Sequence, residues 1–522
     1  MKRQHLNLAL TALVAASILL IAGRTLALRN TGVLDQLNLI VDVRNEIVDR
    51  YVETPDHDEL IESAVRGMID SLDDNYTEFF NLGEMEDFNR TVGGEFSGIG
   101  AEVNIKNGQL HIVSPLEDSP AWKAGVMSDD IVLEIDGIPT IEVFGDARSN
   151  RGKLQNAIEL LLGDSGTLVK LLVRRASGAE AHIEITRARI NVPTIKGIHR
   201  DTEGHWHFML DEVNKIGYVR LTQFTKQTDV DLREALDQLI EDDVQGLILD
   251  LRFNPGGLLE SAVLVSEKFL SEEKRIVSVK GRSVDEQMHD AAESALLPEI
   301  PMVVLANEVS ASASEIVTGA LADNGRAKFI GTRTFGKGSV QEVRMLANHR
   351  GKPIGMLKMT NAHWYTPNGR NIHRKSDAKV WGVDPEDGFY VPMSPDQIRK
   401  MIEIRRDSDI LKDTNGNSSR PTITPEWVEN DFGDLQLAAG LRSILGKIET
   451  GEWPIVGISG IDLQVKLTQR EAQRRRRNLL QEELQRVEET LAELDEELDG
   501  KEPQQESETA PAPEDQVELK QP

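Results

Sequence analysis

Apolar residues occur along this chain in short continuous runs and in longer amphipathic stretches, a mixture that predicts an α/β (mixed) fold. Residues 246–251 form an apolar run interrupted only by Asp250, which is typical of a buried strand, and 262–270 form a largely apolar helical stretch after it. Met302 to Leu305 is a second strand-like run. The pattern then predicts a helix from about Glu315 to Leu321 and a short strand from Ala327 to Ile330. Strands and helices therefore alternate in this part of the chain.

A serine-rich turn lies between the second strand and its helix, and it carries candidate chemistry. Ser310, Ser312 and Ser314 alternate with alanines there. The first N–H groups of a helix have no partner within the helix, so an anionic intermediate can be stabilised at this turn. Downstream, Lys337 stands between two glycines, and a desolvated lysine can be neutral and take a proton from a hydroxyl. This order of elements predicts a serine hydrolase that needs no histidine.

Two other interpretations fit parts of the same segment. A serine in front of a helix is most often only an N-cap, and Ser310 or Ser314 can fill that role. Residues 331–337 also fit most of the phosphate-binding pattern G-x-x-x-x-G-K-[ST]. Gly338, however, stands where that pattern needs a hydroxyl, and the residues after it read as extended chain rather than as the start of a helix. The nucleotide interpretation is therefore disfavoured.

The segment 310–341 resembles the signature of the C-terminal processing peptidases, also called tail-specific proteases, which are PDZ-containing serine peptidases with a Ser-Lys dyad. The runs S-A-S-A-S-E-I and T-F-G-K-G-S-V-Q are both present. The resemblance implies that Ser312 is the nucleophile, that Lys337 is its base and that Gln341 supports the lysine. One departure lies just upstream, where Glu308 and Val309 replace the glycines usual in the family.

A glycine-rich turn follows the first predicted strand. Its sequence, D-L-R-F-N-P-G-G-L-L at residues 250–259, matches the segment that borders the active site in the same family. Paired glycines allow backbone N–H groups to approach a ligand closely, although an ordinary tight turn explains them equally well. The resemblance implies an oxyanion hole with one donor from Gly257, or alternatively Gly256, and a second from the N–H of Ala313.

Residues 93–137 resemble the first half of a PDZ domain. The run S-P-A-W-K-A-G and the sequence D-I-V-L-E-I-D-G after it fit the PDZ pattern, with Asp129 in place of the usual glycine. Aspartate tolerates a positive φ, so the turn can still form. The resemblance implies a loop that binds a peptide carboxylate, made of Gly98, Ile99, Gly100 and Ala101, and a strand from about Ala101 to Ile105 that pairs with the peptide. A PDZ domain alone predicts peptide binding and not proteolysis.

The resemblance covers about residues 35–445 and implies a tail-specific protease core of crotonase-like βα units, with an inserted PDZ domain and a helical N-terminal segment. The predicted divisions are 1–27, a signal peptide or membrane anchor; 34–90, the helical N-terminal segment; 91–190, the PDZ domain; 191–390, the Ser-Lys peptidase core; 391–467, the C-terminal helical part of the core; 468–500, a short charged helix or coiled coil; and 501–522, a disordered acidic tail.

The N-terminus has the features of an export signal. Lys2 and Arg3 precede an apolar stretch from about residue 6 to residue 23. The pattern predicts an exported protein in the periplasm or elsewhere outside the cytoplasm. Whether the stretch is cleaved or anchors the chain in the inner membrane stays open, as does oligomerisation.

Composition excludes several kinds of site. The 522 residues include no cysteine, which excludes disulfides, a thiol nucleophile and cysteine metal ligands. The formal net charge of −28 argues against nucleic acid as a partner. His205 and His207 lack a third ligand nearby in sequence, so we expect neither a metal nor another cofactor.

Two classes of function remain. The preferred one is an exported endopeptidase that recognises accessible C-termini of proteins or peptides through the PDZ domain and cleaves through an acyl-enzyme on Ser312. The alternative is a non-catalytic PDZ scaffold or chaperone-like protein on a peptidase fold. Because Ser312, Lys337 and Gln341 are all present, the sequence favours the enzyme.

Overall fold

The computed structural model describes residues 36–85, 88 and 95–459, apart from 117–118, 146, 148, 176–177, 192, 202–204, 349, 376–377, 379 and 410–421, and some helical positions between 466 and 492. The predicted export signal at 1–27 and the predicted tail at 501–522 lie outside these residues. None of the described helices combines the length and apolar character needed to cross a membrane.

The N-terminal segment is helical only in part. Residues 36–50 form helix α1, and α2 spans His57–Asp70, with Asp56 as its N-cap. The segment predicted as helical, 34–90, also contains a short strand, β1 Glu78–Phe80, which pairs antiparallel with residues 356–358. A strand this short is stable only against a partner strand. Its partner lies almost 280 positions away, so the local sequence carries no signal for it.

The PDZ domain forms a sheet in the order β3-β4-β5-β7-β8, with β6 beside β5, while β2 pairs with β9. Its elements are β2 Glu95–Gly98, β3 Ala101–Lys106, β4 Gln109–Pro115, α3 Pro120–Lys123, β5 Ile131–Ile135, β6 Ile138–Pro139, α4 Thr140–Val143, α5 Asn150–Leu161, β7 Leu168–Arg174, β8 Glu180–Thr186 and β9 Ala188–Asn191. The strand predicted from 101 to 105 is confirmed, and it lies at an edge of the sheet. Asp129 has φ +64°, as expected for an aspartate in a glycine position.

The peptidase core is built on a sheet in the order β10-β14-β15-β18-β19, with β13 beside β14. Strands β14, β15, β18 and β19 run parallel. The elements are β10 Ile195–Lys196, β11 His199–Arg200, β12 Trp206–His207, β13 Met209–Asp211, β14 Ile216–Leu221, α6 Thr228–Glu241, β15 Gly246–Asp250, α7 Leu259–Glu267, β16 Arg275–Lys280, β17 Gln287–Asp290, β18 Met302–Ala306, α8 Ala313–Asp323 and β19 Lys328–Gly331. The strands and helices predicted in this region are therefore confirmed, with small shifts at their ends.

Both faces of the parallel sheet are buried, which explains why its strands read as continuous apolar runs. Leu247 and Leu249 of β15 belong to a cluster with Leu236 of α6 on one face. Ile248 points to the other face and joins a cluster with Leu441. The carboxyl ends of β15 and β18 therefore emerge from this buried layer at the same edge of the sheet. The glycine turn and the serine turn begin there.

A second sheet has the order β1-β21-β16-β17, with β20, Ser339–Ala347, also paired to β21, Pro353–Tyr365. Because β20 is a strand and not a helix, the phosphate-binding interpretation of residues 331–338 is wrong. The lysine turn leads directly into β20. The N-terminal strand β1 therefore belongs to the same sheet as the strand that follows Lys337.

Three helices complete the core, α9 Pro395–Asp409, α10 Pro425–Asn430 and α11 Leu435–Thr450. A buried group of charges ties α9 and the start of α11 to β15. Arg252 bridges Asp250 and Asp434, with N–O distances of 2.7 Å to each, and Arg405 of α9 contacts the same two carboxylates at 2.6 and 2.8 Å. Asp434 also caps α11 by accepting from the N–H of Leu437. The turn after β15 is therefore held by the C-terminal helices.

In the segment predicted as a short charged helix or coiled coil, four apolar residues spaced three or four positions apart are helical, and each is more than half exposed: Leu480, Leu484, Val487 and Leu491.

Candidate active site

Ser312 occupies the N-cap position of α8 and has φ +54° and ψ −115°. Such a backbone is strained for a residue with a Cβ, and strain of this kind is concentrated at functional sites. The two neighbouring serines hold the turn in place: Ser310 Oγ donates to the Leu251 carbonyl at 2.8 Å, and Ser314 Oγ donates to the Asn254 carbonyl at 2.9 Å. The N-cap position therefore belongs to Ser312 and not to Ser310 or Ser314.

A single buried carboxylate connects the serine turn to the lysine turn. Glu315 Oε2 accepts from the N–H of Ser312 at 2.9 Å and from the N–H of Lys337 at 2.8 Å. Its Oε1 accepts from the N–H of Gly336 at 2.7 Å and from Thr334 Oγ1 at 2.5 Å. Burial raises the pKa of Glu315 to about 7, while these four donors favour the ionised form. Glu315 thus fixes the main chain on both sides of the site.

Lys337 is partly buried, and its environment favours loss of its proton. Burial is the main cause of its lowered pKa, and the positive charge of Lys358 adds to the effect. The acidic groups of Glu315, Glu78 and Asp74 act in the opposite direction. The net direction is the one required of a lysine that acts as a base near neutral pH.

Ser312 and Lys337 line the same cavity of about 340 Å³, together with Gly257 and Gln341. Much of the remaining wall is apolar and includes Phe224, Leu259, Ile316, Val340 and Trp364. The Gln341 amide donates to Ser339 Oγ at 3.0 Å and to Thr360 Oγ1 at 3.1 Å. The cavity therefore combines a hydroxyl, a lysine and an apolar wall large enough for a side chain.

The glycine turn lies directly against Ser312. A Cβ on Gly256 would be 2.6 Å from the Ala311 carbonyl oxygen, and a Cβ on Gly257 would be 2.0 Å from that of Phe224, so both positions require glycine. The N–H of Gly256 already donates to Asn254 Oδ1 at 2.8 Å. Of the two candidate oxyanion donors, Gly257 is therefore the better placed. The N–H of Ser312 is similarly engaged by Glu315, so the next N–H, that of Ala313, is the candidate on α8.

The predicted carboxylate loop lies at a different site, on the PDZ domain. Residues 98–101 line an apolar pocket of about 150 Å³ together with Val103, Ile158 and Leu161, between β3 and α5. Gly100 has φ +74°, and a Cβ there would be only 2.4 Å from Ser119 Cβ. The pocket combines a glycine loop with an apolar floor, as binding of an apolar C-terminal residue requires.

The sequence predictions did not include Glu315 or the N-terminal residue Tyr76, whose ring lies 4.7 Å from Lys337 Nζ. For Glu315 a signal was present, since Ser312-x-x-Glu315 fits the capping-box spacing. Tyr76 had no such signal because it reaches the site from a distant part of the chain. Within the described ranges, no group of three or more His, Asp or Glu side chains is arranged to hold a metal ion.

Comparison with known proteins places these features in a family. The family model for peptidase family S41 matches residues 215–387, that for the PDZ domain matches 111–175, and that for the N-terminal domain of the activating protease CtpB matches 24–82. The chain is 33% identical over 451 residues to the carboxy-terminal-processing protease of Bartonella bacilliformis. The aligned region covers 84% of this chain and 95% of that protein. This chain belongs to the C-terminal processing peptidases.

Two further relatives agree with this assignment. The carboxy-terminal processing protease CtpA of Bacillus subtilis is 33% identical over 72% of this chain and 75% of its own length. A probable CtpA-like serine protease of Staphylococcus haemolyticus is 36% identical over 64% of this chain and 61% of its own. As a member of this family, the chain is a serine-type peptidase, and therefore a hydrolase, with a PDZ domain. Its mixed α/β fold and its helical N-terminal region agree with the prediction.

Proposed function

We propose that this chain is an exported serine endopeptidase that recognises protein C-termini through its PDZ domain and cleaves peptide bonds by a Ser312–Lys337 dyad. The observation that carries the dyad is the carboxylate of Glu315, which binds the N–H groups of both residues and holds them at one cavity. The proposal of export rests on Lys2, Arg3 and the apolar stretch after them. That stretch would deliver the chain to the periplasm or another compartment outside the cytoplasm.

The proposed reaction has two halves. Neutral Lys337 Nζ takes the proton of Ser312 Oγ as that oxygen attacks the scissile carbonyl carbon. The N–H groups of Gly257 and Ala313 donate to the oxyanion. When the intermediate collapses, the C–N bond breaks, Lys337 returns the proton to the leaving amine and an ester remains on Ser312. Water then attacks the ester, with Lys337 again as the base, and releases the free acid and the hydroxyl.

Gln341 has an orienting role in this proposal. Its amide is fixed by Ser339 and by Thr360, and it forms part of the cavity wall beside Lys337. It transfers no proton itself. Its removal should therefore impair turnover less than removal of Ser312 or Lys337.

We expect the free carboxylate of a substrate to matter more than its internal sequence. Residues 98–101 offer backbone N–H groups to that carboxylate, and amidation removes the charge they favour. Amidating the C-terminus of a good substrate should weaken binding or turnover about tenfold or more, which corresponds to one charge-assisted hydrogen bond. The measurement is kcat/KM for matched free-acid and amidated peptides.

The matched variant for that experiment is Gly100→Val, which should mimic amidation because its side chain would collide with Ser119. Hydrolysis of a very short substrate should remain largely intact in this variant, since such a substrate need not reach the PDZ domain. Equal cleavage of amidated and free-acid peptides by the unmodified protein would rule out recognition of C-termini by this loop.

The rate should rise with pH. Lys337 acts only when neutral, and its pKa lies below the ordinary lysine value of about 10.4, so kcat/KM should increase as pH passes through that lowered pKa and then level off. Ionisation of Glu315, with a pKa of about 7, should add an earlier rise, because only the ionised carboxylate can accept all four of the hydrogen bonds that fix the two turns. The measurement is kcat/KM between about pH 5 and 11.

Glu315→Gln is the matched variant for the pH experiment, and it should lose the lower rise while keeping the upper one at a reduced rate. Thiol reagents and chelators should have no effect, because the chain has no cysteine and no proposed step uses a metal. Inactivation by a chelator with recovery on adding zinc would reject the dyad in favour of a metalloenzyme.

A further inference from the structure

The N-terminal segment reaches into the peptidase core beside the lysine turn. Strand β1 pairs with residues 356–358 of β21, and the N–H of Thr360 donates to the buried Thr77 Oγ1 at 3.1 Å. The same Thr360 accepts from the Gln341 amide through its hydroxyl. Residues 76–80 are therefore connected to the cavity by strand pairing and by a chain of hydrogen bonds, although they are separated from Ser312 by more than 230 positions.

Tyr76 is the residue of this segment that meets the proposed base. Its ring centre lies 4.7 Å from Lys337 Nζ. Asp74 fixes the turn that carries the ring, since its Oδ1 accepts from the N–H of Tyr76 at 3.1 Å and its Oδ2 from Thr77 Oγ1 at 2.6 Å. The ring is therefore held over the ammonium by a turn that is itself bonded to the second sheet.

We propose that Tyr76 is a positioning residue of the peptidase site: its ring covers the solvent side of Lys337, keeps water from the amine and holds Nζ in the cavity that contains Ser312. This proposal rests on the dyad proposed above. A lysine ammonium is compact and strongly hydrated, and the face of an aromatic ring replaces only part of the hydration that it displaces. The net effect of the ring is to favour the neutral amine that the reaction needs.

The other groups around Lys337 are consistent with this role. Glu315 approaches from α8, Lys358 from β21, Glu78 from β1, and Asp74 from the turn before it. Lys358 is paired with Glu78 and so is partly balanced by the same N-terminal segment. Burial raises the pKa of Tyr76, so its phenol stays neutral over the working range and adds no charge of its own.

The decisive comparison is between Tyr76→Ala, which removes the ring, and Tyr76→Phe, which keeps it. In Tyr76→Ala the lysine step of the pH–rate profile should move up by about one pH unit, and the rate below that step should fall about tenfold and recover at high pH. Tyr76→Phe should keep the pH–rate profile of the wild type. Phe79→Ala is the matched control, since it removes a ring of β1 that contacts Arg66 instead of Lys337. It should leave the lysine step in place.

A second measurement does not depend on turnover. In a Ser312→Ala background, acylation by a small water-soluble amine reagent can be followed by mass spectrometry at Lys337, with the exposed Lys274 as the internal reference. Adding Tyr76→Ala should increase the plateau rate of Lys337 labelling several-fold and move its midpoint to higher pH. Adding Phe79→Ala should change neither value.

The outcomes separate this proposal from the dyad itself. An unchanged lysine step and unchanged labelling in Tyr76→Ala, or equal changes in Tyr76→Ala and Phe79→Ala, would overturn the role of Tyr76. Equal peptide cleavage by the wild type and by Ser312→Ala would instead overturn the dyad, and the labelling would still report whether the ring covers the lysine.

Discussion

Replacing Ser312 with alanine is expected to lower cleavage of a peptide ending in small apolar residues by several orders of magnitude while the protein stays folded. The hydroxyl is the proposed nucleophile, and no other residue in the cavity is assigned its role. The variant should fold because Glu315 binds the N–H of Ser312 and not its side chain. The measurement is single-turnover cleavage, together with thermal unfolding of both proteins. Ser271→Ala, at an exposed serine, is the matched control.

Lys337→Ala should cause a loss of activity of similar size, because removing either member of one catalytic unit disables the whole unit. Lys337→Arg sharpens the comparison, since a guanidinium keeps the positive charge but does not give up its proton. It should be as inactive as Lys337→Ala. Near-normal turnover in either lysine variant would exclude this residue as the base, and full turnover in Ser312→Ala would exclude the serine mechanism.

Asp434→Asn is expected to destabilise the core by about 3–5 kcal/mol, the cost typical of breaking a buried ion pair by changing one partner. Two arginines and two aspartates form the buried group, and the substitution leaves one positive charge without compensation. The carboxylate also caps α11. Chemical unfolding of the full chain, compared at equal protein concentration, measures the effect. Asp237→Asn, in the half-exposed pair with Arg233, should change stability by at most about 0.5 kcal/mol.

The pH dependence of the same group has a definite sign. Burial alone would raise the pKa of Asp250 and of Asp434, but Arg252 and Arg405 outweigh it and hold both below their usual value. The stabilisation is therefore fully present above the unfolded-state value of about 3.9 and is lost as pH falls through the lowered pKa. An Asp434→Asn protein that unfolded at the same denaturant concentration as the wild type would show that the cluster adds nothing to stability.

The parts of the fold that could be predicted are those in which neighbouring residues determine both the element and its burial. Strand β18 and helix α8 follow from their own apolar pattern, and the edge strand β3 was expected from the resemblance of residues 93–137 to a PDZ domain. The paired glycines of the turn after β15 are visible in the sequence, and the structure shows carbonyl groups that approach Gly256 and Gly257 closely. The turn at Asp129 was predictable because φ is a local property of the chain.

The parts that could not be predicted depend on contacts between distant segments. β1 forms only against β21, so its three residues read as part of a helical region. Tyr76 gains its position from that pairing. The burial of Arg252 becomes evident only when α9 and α11 supply Arg405 and Asp434. The candidate dyad was visible in the sequence, whereas the groups that fix its geometry were mostly not.

The main-chain anchoring by Glu315 makes inactive variants of this enzyme useful as reagents. Because the carboxylate binds N–H groups, we expect a change of side chain at 312 to leave the turn, the cavity and the PDZ pocket unchanged. Ser312→Ala should therefore bind a substrate as the intact enzyme does and keep it uncut until it dissociates. Proteins that co-purify with this variant, but not with a double variant that also carries Gly100→Val, would identify the natural substrates together with the termini by which they are recognised.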